Sequence, residues 1–140
     1  MIYLDTSIVV ALFTSEAETD RLLDWIDAKS GQIVAVSRWV DLEFAAALAA
    51  KTRSGALDEP ARKKSLLLYR RALRESFTRF EIGDAQFEHA ERFAQSADPG
   101  LRGGDALHLG IAASYRATLC TLDKRQAEAA STLAIAFELV

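Results

Sequence analysis

The chain has 140 residues, of which 50% are hydrophobic and 26% are charged. This length predicts one domain, and the composition is typical of a globular protein, which excludes intrinsic disorder and collagen-like structure. Lys and Arg number 17 against 20 Asp and Glu, so the formal net charge is −3. Taken alone, that charge argues against a nucleic-acid partner, because neutralising phosphates requires an excess of basic side chains.

Short apolar runs between turn residues predict five β-strands, at 2–4, 32–36, 78–82, 118–122 and 133–137. Amphipathic spacing and capping residues predict helices at 8–13, 14–29, 38–53, 59–77, 85–97, 103–115 and 124–130. Ser37 and Asp84 are the expected N-caps of two of these helices, and residues 98–100 are predicted to form a loop.

The predicted strands alternate with helices and are apolar along their whole length. This pattern is typical of a parallel sheet covered by helices on both faces. We therefore predict a single three-layer α/β/α domain over residues 1–140, with a central parallel sheet of about five strands and a helical arm at about 50–78. Ligands of such sheets bind beyond the carboxyl ends of the strands, so functional residues are expected directly after strands.

The chain contains one cysteine, Cys120, and two histidines, which limits the chemistry available to it. A single cysteine cannot form an internal disulfide, which fits a reducing compartment, and these residues are too few for a Cys/His zinc site. The N-terminus lacks the basic and apolar regions of a signal peptide, and no apolar run approaches the roughly 18 residues of a membrane span. We expect a soluble, cytoplasmic protein with no membrane partner.

Two acidic residues, Asp5 and Asp123, each directly follow a predicted strand. Either one could simply cap the helix that comes next. If the two strands are neighbours in the sheet, however, the two carboxylates meet at one edge. Thr121 lies two residues before Asp123 and therefore points to the same side of its strand.

Two further acids, Glu43 and Asp105, occur where apolar residues dominate. Glu43 lies beside Val40 on the apolar stripe of its helix, so its carboxylate is paired, bound to a metal, or placed at the rim with its head in solvent. Asp41 projects to a different face and is assigned to the surface or to a supporting role. Asp105 lies at the start of a largely apolar helix. Acids also favour the first turn of any helix because they interact well with the helix dipole, so this position alone does not indicate a functional site.

Taken together, the four acids indicate a cation site, because clustered carboxylates repel one another unless a cation compensates. Oxygen ligands without histidine or cysteine favour Mg²⁺, with Mn²⁺ as a possible substitute. Such a site suits hydrolysis of a phosphodiester.

The segments around these acids, at 2–7, 36–43, 100–109 and 121–123, resemble in order and spacing the motifs of the PIN-domain family. Within that family the chain resembles the VapC-type toxins of VapBC toxin–antitoxin pairs. The resemblance implies a Mg²⁺-dependent endoribonuclease whose metal-bound water attacks RNA in line, leaving a 5′-phosphate and a 3′-hydroxyl. It also implies a VapB-type antitoxin as partner and a homodimer as the assembly.

The resemblance assigns roles to particular residues of this chain. One or two metal ions would be held by the four acids Asp5, Glu43, Asp105 and Asp123. Hydroxyl groups that orient carboxylates or waters would come from Thr6, Ser7 and Thr121.

Two other functions remain open at this stage. A PIN scaffold without catalytic activity could act through protein contacts alone. A haloacid-dehalogenase-like Mg²⁺ phosphatase also places an Asp after its first strand, but it needs a second Asp two residues later, where this chain has Ser7. His108, three residues after Asp105, is interpreted either as a general acid or as a packed, hydrogen-bonded histidine.

The charge is unevenly distributed along the chain. Residues 51–80 contain nine basic and three acidic residues, a net charge of +6, so the remainder carries −9. The exposed basic candidates for RNA binding are Lys63, Lys64, Arg70, Arg71 and Arg74. They form either a solvated face, a contact for the antitoxin, or a basic wall that steers RNA towards the acidic site. A net charge of −3 therefore does not exclude a nucleic-acid partner.

Overall fold

The structure, a computed structural model, describes residues 1–96 and 101–140. Its elements in chain order are β1 (Ile2–Leu4), α1 (Thr6–Phe13), α2 (Thr19–Asp27), β2 (Val34–Ser37), α3 (Arg38–Arg53), α4 (Glu59–Glu75), β3 (Thr78–Phe80), α5 (Asp84–Gln95), α6 (Gly103–Tyr115), β4 (Thr118–Thr121), α7 (Lys124–Thr132) and β5 (Phe137–Leu139). The predicted loop at 98–100 and the predicted helix end at residue 97 lie outside the described residues.

The five strands form one sheet in the order β3-β2-β1-β4-β5, and every neighbouring pair is parallel. The prediction of an α/β/α fold around a parallel five-stranded sheet is confirmed. The central strand β1 pairs through Ile2 with Val34 on one side and with Thr118 on the other. The strand order reverses at β1, so the gap between the carboxyl ends of β1 and β4 is the switch point where open parallel sheets bind ligands.

The centre of the sheet is buried on both faces, as expected for apolar strands without alternation. Tyr3 and Leu4 of β1 are fully buried, and so are Leu119 and Cys120 of β4. These strands belong to one hydrophobic core that also includes residues of the surrounding helices. The main chain at the switch point is therefore rigidly placed.

The helix of the predicted basic arm, α4, is anchored to the core by Tyr69. Its ring packs against Phe44 of α3 and Phe13 of α1, with centroids 4.7 and 5.5 Å away. Its hydroxyl donates a hydrogen bond of 2.7 Å to Asp41. Asp41 also lies 3.2 Å from the Arg79 guanidinium, so it connects α3, α4 and β3 on the face away from Glu43.

Helix boundaries differ from the predictions in the first quarter of the chain. Helix α1 begins at Thr6 instead of residue 8 because Asp5 is its N-cap. Helix α2 begins at Thr19 instead of residue 14, since Ser15 has a φ of 54° and breaks the run. On this helix Leu22 is buried, whereas Leu23 is 47% exposed.

Smaller differences occur later in the chain. The N-cap of α5 is Gly83, and the predicted cap, Asp84, is instead the first residue of the helix. Strand β5 begins at Phe137 instead of residue 133. The chain first closes α7 with a turn in which Ala134 has a φ of 54° and the Ile135 amide bonds the Ala130 carbonyl.

Within residues 1–96 and 101–140, no helix has both the length and the apolar character that crossing a membrane requires.

The contact between α5 and α6 depends on Gly110. A Cβ atom at this position would lie 2.6 Å from the Gln86 carbonyl oxygen and 2.9 Å from the Ala90 nitrogen, both of them backbone atoms. We expect Gly110→Ala to lower the free energy of unfolding by about 2 kcal/mol, measured by urea denaturation, because the two helices must separate. Gly103→Ala is the control: nothing lies within 4 Å of its Cβ position, and its stability should stay level or rise. Equal stability of Gly110→Ala and the unmodified chain would contradict this close approach.

Candidate active site

The Asp5 carboxylate lies at the switch point, directly after β1. Its side chain is buried, with 3% exposed. One oxygen accepts hydrogen bonds from the Ser7 hydroxyl at 2.6 Å and from the Ile8 amide at 3.2 Å, which makes Asp5 the N-cap of α1. The other oxygen accepts a hydrogen bond from the Thr121 hydroxyl of β4. Asp5 is thus both a helix cap and a buried carboxylate at the end of the strand.

Two hydroxyl groups join the ends of β1 and β4. Ser7 accepts a hydrogen bond of 2.9 Å from the Leu122 amide, and Thr121 accepts one of 2.9 Å from the Asp123 amide. Asp123 is exposed, and its carboxylate caps α7 by accepting from the Arg125 amide at 2.8 Å. The strands are neighbours, as the meeting of the two acids requires, and both acids lie at the same edge of the sheet.

The Glu43 carboxylate reaches this edge from α3. Its Oε2 atom lies 2.7 Å from His108 Nε2 and accepts a hydrogen bond from the Thr6 hydroxyl. Its Oε1 atom would lie 3.3 Å from a Cβ atom on Gly104, so a side chain at that position would crowd the carboxylate. Helices α1, α3 and α6 therefore converge on Glu43, whose side chain is partly buried.

Asp105 lies in the first turn of α6, between Gly104 and His108, and is partly exposed. Because His108 contacts Glu43 and a Cβ atom on Gly104 would crowd it, the start of α6 faces the same edge of the sheet. The four predicted ligands thus come from the ends of β1 and β4 and from the facing surfaces of α3 and α6.

The surroundings shift the pKa values of two of these acids in opposite directions. Burial raises the pKa of Asp5, and this effect outweighs the nearby His108 and the hydrogen bonds from Ser7, Thr121 and the Ile8 amide. Burial also acts to raise the pKa of Glu43, but the hydrogen bonds from His108 and Thr6 prevail and hold it below its ordinary value. An added cation would therefore relieve a cost at Asp5 that its hydrogen bonds do not remove.

Basic side chains do not provide that cation within the described residues. The ion pairs found there include no Lys or Arg partner for Asp5 or Glu43. In 1–96 and 101–140, moreover, no three His, Cys, Asp or Glu side chains are arranged as a group that could hold one metal ion. The assignment of all four acids as ligands therefore stays a prediction.

The predicted basic residues all lie on exposed positions of α4. Arg71 pairs with Glu75 at 2.8 Å, and Lys63 lies 4.0 Å from Glu59. Among the described residues, Lys64, Arg70 and Arg74 take part in no ion pair. Their role in RNA binding stays a prediction.

Sequence reasoning missed three residues that shape the site. The Tyr3 hydroxyl lies 2.9 Å from His108 Nδ1, and the Gln126 side chain lies 3.1 Å from the Thr121 hydroxyl. Ser37, predicted only as a cap, also contacts the Tyr3 hydroxyl at 2.9 Å. Gln126 follows Asp123 by three residues, and this spacing was a weak indication that it lies near the site. Tyr3 has the sequence pattern of an ordinary core residue and gave no such indication.

Comparison with known proteins identifies the family. A model of the PIN domain matches residues 2–131. Ribonuclease VapC35 of Mycobacterium tuberculosis is 33% identical to this chain, over 97% of this chain and 94% of its own length. The chain belongs to the PIN-domain family, and its resemblance to VapC-type members is confirmed.

Solved structures share the same fold at lower identity. VapBC2 of Rickettsia felis, solved with a DNA fragment from the promoter, superposes with a TM-score of 0.74 at 15% identity, covering 99% of this chain and 98% of the other. VapC20 of Mycobacterium tuberculosis, described as a sarcin–ricin loop cleaving toxin, gives a TM-score of 0.68 at 15% identity, covering 92% and 95%. Identities at this level establish the fold alone.

The raised pKa of Asp5 predicts a stability change. A raised pKa means that the folded chain holds this proton more tightly than the unfolded chain, so stability is lost as pH rises through the folded-state pKa. Without metal, Asp5→Asn removes that cost at neutral pH, and we expect a gain of about 1 kcal/mol, or roughly 3 °C in melting temperature.

The matched control for this prediction is Asp123→Asn, because Asp123 is exposed and Asn caps a helix equally well. Its melting temperature should not change. Thermal unfolding in EDTA between pH 4 and pH 8 compares the variants. A lower stability of Asp5→Asn than of the unmodified chain at pH 7 would show that ionised Asp5 is not a cost to the fold.

Proposed function

We propose that this chain is a Mg²⁺-dependent endoribonuclease and the toxin of a type II toxin–antitoxin pair. The observation that carries the proposal is the buried Asp5 carboxylate at the switch point, which has no Lys or Arg partner among the described residues. The names of its relatives agree with this reading, since one is called a ribonuclease and another a toxin that cleaves the sarcin–ricin loop.

The donor chemistry fits Mg²⁺. The acids offer only oxygen atoms, and Mg²⁺ binds through one or two carboxylates while keeping several waters. Asp5 and Glu43 are the first candidates for these carboxylate ligands, and Asp105 and Asp123 are the further ones. When bound, Mg²⁺ would supply activation of water for attack on a phosphodiester and would offset the charge that develops on the phosphate.

The chain's own residues would prepare the site for this reaction. Ser7 and Thr121 hold the two oxygens of Asp5, so the carboxylate does not rotate. The Thr6 hydroxyl donates a hydrogen bond to Oε2 of Glu43. Because these groups are fixed before any ligand arrives, little ordering is needed when substrate binds.

The proposed partners follow from the proteins of similar fold. VapBC2 of Rickettsia felis was solved bound to a DNA fragment from the promoter. A structure from Klebsiella pneumoniae with a TM-score of 0.63 at 20% identity is described as a toxin–antitoxin complex. By analogy we propose a VapB-type antitoxin for this chain, and a homodimer as its assembly. RNA is the proposed substrate.

The two alternative functions are less well supported. The PIN-domain match over residues 2–131 disfavours a haloacid-dehalogenase-like phosphatase. A catalytically silent scaffold needs a cap for α1 but not a charged one, because Asn caps a helix equally well, whereas burial raises the pKa of Asp5 and makes its ionised form a cost to stability.

Metal-dependent cleavage is tested with purified protein freed of antitoxin. We expect cleavage of RNA with Mg²⁺, none with EDTA, and losses of at least about 100-fold for Asp5→Asn and for Asp105→Asn. Asp24→Asn, an exposed acid of α2, is the control and should cleave normally. Full activity in EDTA would contradict the metal proposal, and inactivity of the folded, unmodified chain on all RNA tested would favour the scaffold.

The basic face of α4 is tested by reversing two charges that have no ion-pair partner among the described residues. We expect Arg70→Glu with Arg74→Glu to weaken RNA binding at least tenfold and to reduce the salt dependence, d log K/d log [salt], by about 1.4, because two phosphate contacts are lost. Arg21→Glu on α2 is the control. Binding is measured by fluorescence anisotropy at several salt concentrations. If the affinity and its salt dependence do not change in the double variant, α4 is only a solvated face.

A further inference from the structure

We propose that His108 is a positioning residue that fixes the Glu43 carboxylate, and that Tyr3 and Ser37 in turn fix the His108 ring. This inference rests on the proposed function, because it gives the fixed carboxylate a part in binding the cation. It assigns His108 neither as a general acid nor as an ordinary core residue.

The four side chains form one continuous line of contacts from the core to the site. The Ser37 hydroxyl lies 2.9 Å from the Tyr3 hydroxyl, which lies 2.9 Å from His108 Nδ1. On the other side of the ring, Nε2 lies 2.7 Å from Glu43 Oε2. Strands β1 and β2 thus hold a histidine of α6 against an acid of α3.

The direction of the hydrogen bonds follows from what each atom can donate. An ionised carboxylate only accepts, so the proton shared with Glu43 belongs to His108 Nε2. In a neutral ring Nδ1 then accepts, and the Tyr3 hydroxyl is its donor. The Tyr3 oxygen can accept a hydrogen bond from the Ser37 hydroxyl in turn. Each of the three contacts along the line then has one proton of its own.

His108 is placed to orient Glu43 but not to reach a substrate. It is 3% exposed, and both ring nitrogens are engaged. Its bond and the one from Thr6 both go to Oε2, which leaves Oε1 beside Gly104 as the oxygen available to a cation. A carboxylate held by a second group in this way binds metal in a fixed orientation.

The test compares variants at His108 with a matched control. His108→Leu removes both hydrogen bonds, whereas His108→Gln keeps an N–H donor at a similar reach. The control is His89→Leu: His89 is the other histidine of the chain, and it bonds the Ser114 hydroxyl at 2.8 Å away from Glu43. All variants are first checked for folding by circular dichroism and thermal unfolding.

Metal binding is measured with Mn²⁺ alone, by titration calorimetry and by the loss of the free-ion electron paramagnetic resonance signal. We expect His108→Leu to bind Mn²⁺ about 10- to 100-fold more weakly and to cleave RNA more slowly by a similar factor. His108→Gln should recover most of both losses, and His89→Leu should show neither. A folded His108→Leu variant with normal Mn²⁺ affinity would overturn the proposal.

A spectroscopic measurement separates this inference from the proposed function. In ¹⁵N-resolved NMR of the metal-free chain, with signals assigned by His89→Leu, we expect His108 as the Nε2–H tautomer and a change of its Nδ1 signal in Tyr3→Phe. If the unmodified chain cleaves no RNA, the NMR spectra and the Mn²⁺ affinities still test whether His108 positions the Glu43 carboxylate. The Nδ1–H tautomer would overturn the proposal even in an active ribonuclease.

Discussion

The burial of one carboxylate at the end of the central strand determines how the surrounding side chains are arranged. Asp5 is enclosed because β1 lies in the middle of the sheet, between β2 and β4. An enclosed carboxylate needs hydrogen-bond donors, and Ser7, Thr121 and the Ile8 amide provide them. The same bonds tie the start of α1 to the end of β4. The geometry of the site therefore depends on one group.

The site gives two carboxylates different properties although neither has a Lys or Arg partner among the described residues. Asp5 has hydroxyl and amide donors only, and its burial dominates its pKa. Glu43 is more exposed, and a histidine donates to it, so its pKa falls. Environments that push the pKa values of adjacent acids apart are a common feature of catalytic sites. The difference between these two acids comes from their depth in the fold and from their donors.

The sequence predicted the parallel sheet and the positions of the acids, because apolar strands and residues at strand ends follow local rules. It could not predict the line from Ser37 to Glu43, since that line joins β2, β1, α6 and α3 through contacts distant in sequence. Tyr3 and Ser37 have ordinary local explanations, as a strand residue and as a cap. The start of α2 and of β5 was misplaced where Ser15 and Ala134 take a positive φ, a conformation that is uncommon for residues other than glycine.

The pairing of β1 with β4 also has a consequence for how the chain acquires activity during synthesis. Asp5 and Thr121 are 116 residues apart, and Ile2 pairs with Thr118 in the same parallel ladder. Contacts of such long range form late, because the loop between them must close first. A nascent chain that has not yet extended through β4 lacks one wall of the site. Until β4 has been made, Asp5 therefore lacks the hydrogen bond from Thr121, and the candidate site is incomplete.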